Sequence, residues 1–559
     1  WMITSDLMID DKALEHQMGL KEKVALFDII LSDIDSAYVD PVDTNKLFET
    51  GVNAMLSSLD PYTQFENLSA ANELMVKTSG KYGGVGLGIG LDVRNNKDVI
   101  VVSAFEGYAY DAGLRPGDII VKVDDVEIGD AGINKTTESL RGEPGTRVKV
   151  QVKRAGLAQP LDFELTRQRV TIHDVPAVGF IGDPKDKIGY IRLQSFAKQA
   201  GLEVHTALQA LKAGAGGDLK SVILDLRGNP GGLLDGAVDV AEQFVPKGSA
   251  IVSTKGRALG TDVYVSNIEP SLPANTKLAV LVDGGSASAS EIVAGAIQDL
   301  DVGVVVGSKT YGKGLVQNIQ GLPYDTALRY TVGRYYTPSG RCIQAINYAN
   351  GNTSDVKRFE DSDRKEFKTK VGRVVKDLGG IEPDVVVNGS RISDLEGSLL
   401  TKGYFLTFAD KFYEKHPDGI ATNFAVDDSL YKDFQKFAEG SGFHFETKFE
   451  KTLEELAKEL KLDGYQRSTK ELDELKLATI EDMKDEFSRN QKNLKRDLER
   501  YIRMRYEPDS MLILDDLKYD EQVNKAIEVL RNKSLYTQIL SPQTSQTVAV
   551  RAQIFPDIS

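Results

Sequence analysis

The chain has 559 residues, with 68 Lys and Arg against 83 Asp and Glu, for a net charge of −15. At about 150 residues per domain that length predicts three to four domains, and 41% hydrophobic with 27% charged residues is a globular composition, not a disordered one. The acidic balance argues against nucleic acid as a partner. A single cysteine, Cys342, excludes an intrachain disulfide framework and a Cys-rich zinc site, and five scattered histidines form no metal-binding pair, so no metal and no cofactor are expected.

No run of 18 or more apolar residues occurs, so no transmembrane segment is expected. The start at Trp1, without a charged-then-apolar leader, reads as a trimmed end and leaves the compartment open. Residues 1–78 read as a helical region. Phe27, Ile30, Leu31, Ile34 and Tyr38 recur at three- and four-residue steps, Asp40-Pro41 breaks the pattern, and Leu47, Val52, Met55 and Leu56 begin another helix.

Residues 79–169 change texture. Gly83-Gly-Val-Gly-Leu-Gly-Ile-Gly90 leads into the β-branched run Val99–Val102, then the turn Gly113-Leu-Arg-Pro-Gly-Asp118 and strands at Ile119–Val123, Val148–Val152 and Leu161–Leu165. The glycines lack the GxxxxGK[ST] pattern and run into a strand instead of a helix, so a phosphate loop does not fit. A glycine loop entering a strand can instead hold a peptide carboxylate on backbone N–H groups, here those of Gly84, Val85, Gly86 and Leu87. The competing reading makes the glycines mere tight turns.

Over 170–390, strands at Ile188–Leu193, Val222–Leu226, Leu278–Val282 and Val302–Val306 alternate with helices at Gly201–Leu211, Leu234–Phe244 and Glu291–Leu300, which predicts an α/β core. Residues 391–559 read as charged helices. Leu453, Leu456 and Leu460 share one face, and Leu472, Leu475, Met483 and Phe487 another, with mixed-sign charge that marks solvated surface and no derivable role.

Chemistry concentrates in the core. The strand Leu278–Val282 runs through Gly284-Gly-Ser-Ala-Ser-Ala-Ser290 into a helix, and a serine at such a turn is exposed near free helix N–H groups, as attack on a carbonyl requires. Ser288-Ala-Ser-Glu291 equally fits a capping box, and spacing alone favours that structural role. No histidine lies between His205 and His416, so a lysine made neutral by burial is the more attractive base, and Lys313 sits in Tyr311-Gly-Lys-Gly314. A solvated lysine in a glycine turn is its bland counterpart. The turn Leu224-Asp-Leu-Arg-Gly-Asn-Pro-Gly-Gly232 can offer a backbone N–H to an oxyanion, or simply needs positive φ.

The glycine loop with the Gly113–Asp118 turn resembles a PDZ domain. The ordered set of the 224–232 turn, Gly285-Ser-Ala-Ser-Ala-Ser-Glu291 and Gly312-Lys-Gly-Leu-Val-Gln317 resembles the carboxyl-terminal processing peptidases, or tail-specific proteases, with support from Tyr38–Pro41, Leu59–Pro61, Thr337–Gln344 and Gly380–Asp384. The resemblance implies a crotonase-like α/β serine protease core with an inserted PDZ domain, flanked by N-terminal and C-terminal helical regions. It implies Ser288 as nucleophile, Lys313 as general base, Gln317 orienting the lysine, and the N–H groups of Gly232 and Ala289 as oxyanion hole. It implies substrates that are proteins or peptides with free, apolar C-termini, a periplasmic or cell-envelope location, and a PDZ unit able to occlude or complete the active site. A homodimer through the N-terminal helices is one use for their apolar faces, and intrachain packing the other. Two rival functions remain at this stage: a non-catalytic PDZ scaffold, which a serine-reactive probe failing to label Ser288 would favour, and a crotonase-type acyl-CoA enzyme, which absent acyl-CoA binding would exclude.

Overall fold

The computed structural model describes residues 11–542 apart from 130–131, 274, 349–350, 352–356, 390–391, 423, 444, 446–447 and scattered positions between 463 and 484. Helices α1 (Asp11–Ala37) and α2 (Thr44–Ser57) open it, and the Asp43 carboxylate caps α2 by accepting from the Asn45 and Lys46 N–H groups. Leu20, Val24, Ile29, Ile30 and Tyr38 stay exposed, so much of the described apolar α1 surface finds no intrachain cover, while Phe27 meets Phe48 edge-on at 6.3 Å. Strand β1 (Gln64–Glu66) and α3 (Leu68–Ser79) follow, and Gly80 at φ +69 ends α3 in a left-handed cap.

The chain enters the PDZ-like unit through β2 (Lys81–Gly84) and leaves it through β9 (Gln168–Thr171), which pair antiparallel as a two-stranded stalk. Between them lies a sheet in the order β3 (Leu87–Leu91), β4 (Val99–Ala104), β5 (Ile119–Val123), β7 (Arg147–Lys153), β8 (Leu161–Thr166), with β6 (Val126–Glu127) folded back on β5. Val148, Val150 and Val152 are buried while Arg147, Lys149 and Lys153 face water, the period of two that a one-sided sheet demands. Strand β3 is the sheet's edge and lies beside α4 (Gly132–Leu140), and among the described residues no strand pairs with its outer side.

The core sheet runs β10 (Ala177–Ile181), β11 (Ile188–Arg192), β12 (Ser221–Asp225), β15 (Lys277–Val282), β16 (Val304–Gly307) and the short strand Val385–Val386, parallel from β11 onward. The crossovers α5 (Ala200–Gly214), α6 (Leu234–Glu242) and α7 (Ala289–Asp299) cover one face. A second, antiparallel sheet joins β1, β18 (Thr326–Tyr336), β13 (Ala250–Gly256) and β14 (Gly260–Val265), with β17 (Leu315–Leu322) on β18.

The opposite face of the core sheet is covered from far along the chain. Val523, Ala526, Ile527 and Leu530 of helix Glu521–Arg531 pack on Ile223, Ala279, Leu281 and Val304. The region read as a tail without a role therefore completes the core. Its remaining helices build an aromatic bundle in which Phe405 stacks on Phe434 at 5.0 Å. Leu453 and Leu472 are buried, Leu456 and Leu475 exposed, and Met483 lies outside the described residues. The bundle also grips the PDZ-like unit: Arg94 pairs with Asp410 at 2.7 Å, Arg505 donates to the Pro116 carbonyl, and the Tyr110 hydroxyl donates to the Tyr506 carbonyl at 3.1 Å. Burial holds the Arg505 guanidinium down at about 10. No helix among the described residues is long and apolar enough to cross a membrane.

Candidate active site

Three loops leave the carboxyl ends of adjacent parallel strands, where open α/β sheets place their ligands. The 226–232 turn follows β12, the 283–288 turn follows β15, and the 308–314 loop follows β16. Hydrogen bonds lock the first two together. The Asp283 carboxylate accepts the N–H groups of Gly228, Gly285 and Ser286, the Ser286 hydroxyl donates to the Leu226 carbonyl at 2.8 Å, and the Ser290 hydroxyl donates to the Asn229 carbonyl at 2.8 Å.

The outer two of the three serines are thus spent on structure, while Ser288 lines a cavity of about 680 Å³. Ser288 stands at φ +56, an unfavourable conformation for a residue with a Cβ, at the start of α7. Gly231, at φ +100, lies close behind it: a Cβ there would come within 2.9 Å of the Ser288 Cβ. Gly232 and Ala289 line the same cavity, with Gly232 set against Phe196, whose carbonyl oxygen would lie 2.4 Å from a Cβ on that glycine.

Lys313 enters from the third loop and is buried, not solvated. Burial, with the positive charge of Arg329, lowers its pKa to about 8 against the raising influence of Asp60 and Glu291. Its ammonium nitrogen lies 4.2 Å from the centroid of the Tyr62 ring, which follows the Leu59-Asp60-Pro61 turn. Among the described residues no histidine lines the cavity. Gln317 also faces it, but its amide donates to the Thr331 hydroxyl at 3.4 Å, with no hydrogen bond to Lys313 in this conformation.

Two residues at the centre escaped sequence reasoning in this role. Glu291, expected only as the capping-box partner, does reach back to the Ser288 N–H at 2.8 Å, and it also takes the N–H groups of Gly312 at 2.8 Å and Lys313 at 2.9 Å and the Thr310 hydroxyl at 2.6 Å. One buried carboxylate therefore holds the backbone of both the serine and the lysine. Its burial raises its pKa to about 7 despite the four donors. Tyr335, fully buried in β18, donates to the carbonyls of Ser288 and Lys313. Four donors clustering on Glu291 leave no local signal in sequence, and Tyr335 is separated from Ser288 by 47 positions.

The supporting motifs act on this frame. Thr310 accepts the Ile381 N–H at 2.7 Å, Gln344 accepts the Gly314 N–H at 2.7 Å, and the buried Arg341 pairs with Asp299 at the far end of α7 at 2.7 Å. Gly84, Val85, Gly86 and Leu87 lie elsewhere, at the junction of β2 and β3, and are not part of this cavity.

Residues 187–357 match a family model described as peptidase family S41, residues 100–154 one described as a PDZ domain, and residues 395–530 one described as a probable PDZ-protease C-terminal helical domain. A carboxy-terminal-processing protease of Bartonella bacilliformis is 36% identical over 355 residues, covering 63% of this chain and 78% of its relative. A carboxyl-terminal-processing protease of Synechocystis is 38% identical over 299 residues, covering 53% and 68%. Among solved structures, a photosystem II D1 C-terminal processing protease is 29% identical, with 65% of this chain and 92% of that one covered at a TM-score of 0.33. With a PDZ unit, three serines and one lysine in this order, the chain belongs to the carboxyl-terminal-processing protease family of S41 peptidases and is a PDZ-containing serine peptidase.

Proposed function

We propose that Ser288 and Lys313 form the catalytic pair. The observation that carries this reading is the cavity shared by the one serine not tied into the turn and a buried lysine held near neutrality. Neutral Lys313 takes the hydroxyl proton as the Ser288 oxygen attacks the scissile carbonyl, and the Gly232 and Ala289 N–H groups receive the oxyanion. The lysine then returns its proton to the leaving amine, and a water, deprotonated by the same lysine, hydrolyses the acyl-enzyme. Gln317 orients the lysine after a side-chain rotation away from Thr331.

The loop Gly84–Leu87 receives the substrate's terminal carboxylate, while the free edge of β3 pairs with its last residues. Substrates end in apolar residues, the core is of the crotonase-like kind, and the chain divides at about residues 78, 169 and 390. The exposed apolar surface of α1 supports a homodimer, and the protein works in the periplasm or cell envelope.

A fluorophosphonate probe is expected to label Ser288 and to lose its target in Ser288→Ala; labelling elsewhere removes Ser288 as nucleophile. The pH profile offers a second check. Only neutral lysine is a base, so cleavage of an unfolded protein is expected to fall about tenfold per pH unit below pH ~8. The fall steepens below about 7, where Glu291 takes a proton and loses acceptor capacity. A rate that is flat from about pH 6 to 9 excludes lysine as the base.

A further inference from the structure

A tyrosine ring lies against the Gly84–Leu87 loop of the PDZ unit. Tyr82 and Gly84 are two residues apart in β2 and so share one face of the strand. The Tyr82 ring lies across that glycine: a Cβ on Gly84 would sit 2.6 Å from Tyr82 Cε2, and its next neighbour, the Leu140 carbonyl, would be 3.7 Å away. The ring is thereby directed along the strand toward the loop, where the N–H groups of Gly86 and Leu87 face the Tyr82 hydroxyl. Arg141, just beyond α4, places its guanidinium carbon 5.7 Å from the ring centroid. The end of α4 closes the arrangement, since the Gly142 N–H donates to the Gly83 carbonyl at 3.2 Å.

We propose that the Tyr82 hydroxyl occupies the place of the substrate's terminal carboxylate in the peptide-free chain, so that binding a C-terminus displaces it. This rests on the reading of Gly84–Leu87 as the carboxylate loop. A neutral phenol oxygen is a weak acceptor beside the loop's backbone donors, whereas a carboxylate accepts charge-assisted bonds from them and gains from the nearby Arg141 cation. The exchange therefore favours a true chain terminus. An internal segment, offering only neutral carbonyl oxygens, replaces the phenol without a comparable gain. Tyr82 thus sets a threshold against internal segments, and it lowers the apparent affinity of every ligand by the fraction of time the loop is filled.

The test uses the full chain with Ser288→Ala, so that nothing is cleaved, and a labelled peptide of apolar C-terminus as free acid and as amide. Tyr82→Phe keeps the ring and removes the oxygen, and is expected to tighten binding of both peptides about tenfold while keeping the preference for the acid. Unchanged or weaker binding of the acid, with that preference intact, overturns the displacement alone. Equal binding of acid and amide to the parent chain overturns the carboxylate loop itself, and the displacement with it. Should Tyr82→Phe fail to fold, Tyr82→Leu, which removes the hydroxyl together with the ring, is expected to tighten binding likewise; weaker or equal binding there has the same negative meaning.

Discussion

A Lys313→Arg chain is expected to fold as the parent does and to cleave an unfolded protein at least about 10³-fold more slowly. The substitution keeps a long cationic side chain beside a cavity of about 680 Å³, so loss of packing is not its main effect. What it removes is the neutral form. The buried ammonium of Lys313 is pushed to about 8 and spends part of its time deprotonated near neutral pH, whereas a guanidinium does not deprotonate in that range. Arginine also sits well on an aromatic face, so Tyr62 would hold it as a permanent cation where the base should be. Measured as initial rates alongside Lys313→Ala, both variants should fall together. A rate within about tenfold of the parent in either would take the base role from Lys313.

Glu291→Gln is expected to cost the next largest share of activity, about 10- to 100-fold in kcat with KM little changed, together with a lower Tm. An amide of the same shape accepts through one oxygen only, and its NH2 then faces buried N–H donors. At least one of the Ser288, Gly312 and Lys313 amides loses its acceptor, at about 1–3 kcal/mol each, and shifts to find another. Serine and lysine hang on those amides, so the displacement acts on the reacting atoms without Glu291 touching them. The pH profile separates this positioning role from general destabilisation. The limb set by Lys313 should persist in Glu291→Gln, moved to lower pH because the raising charge of Glu291 is gone, while the steepening below about 7 should vanish, because no carboxyl remains to protonate. A parent-like rate with the steepening intact would refute the role.

The legible part of the site was its chain order, and the hidden part its roles. Serine at the start of α7 reads both as helix cap and as nucleophile, because both depend on the same free N–H groups, and spacing favoured the cap. The structure shows why the alternatives were never exclusive: Glu291 performs the capping reach to the Ser288 amide while also binding the loop that carries Lys313. Burial of Lys313 could not be seen in Gly-Lys-Gly, since Tyr62 and Arg329 come from other elements. The strands and helices of the core lie within a few residues of their expected positions because alternation and apolar runs are local signals. The covering of α1 is not local, and its periodicity predicts an apolar face without naming what meets it. For the C-terminal helices a signal existed. Leu278–Val282 is apolar at every position, which a parallel strand needs only if both sheet faces are covered, and the crossover helices supply one.

That double covering has a consequence for the architecture as a whole. The segment that roofs the back of the core sheet is continuous with the bundle that holds the PDZ unit through Arg505, a contact spanning 389 positions. The C-terminal region is thus a strut between the PDZ unit and the protease core. A trimming event after residue 500 would strip one face of the sheet and remove the Arg505 and Tyr506 holds on the PDZ unit in the same stroke, leaving Arg94–Asp410 to carry that contact.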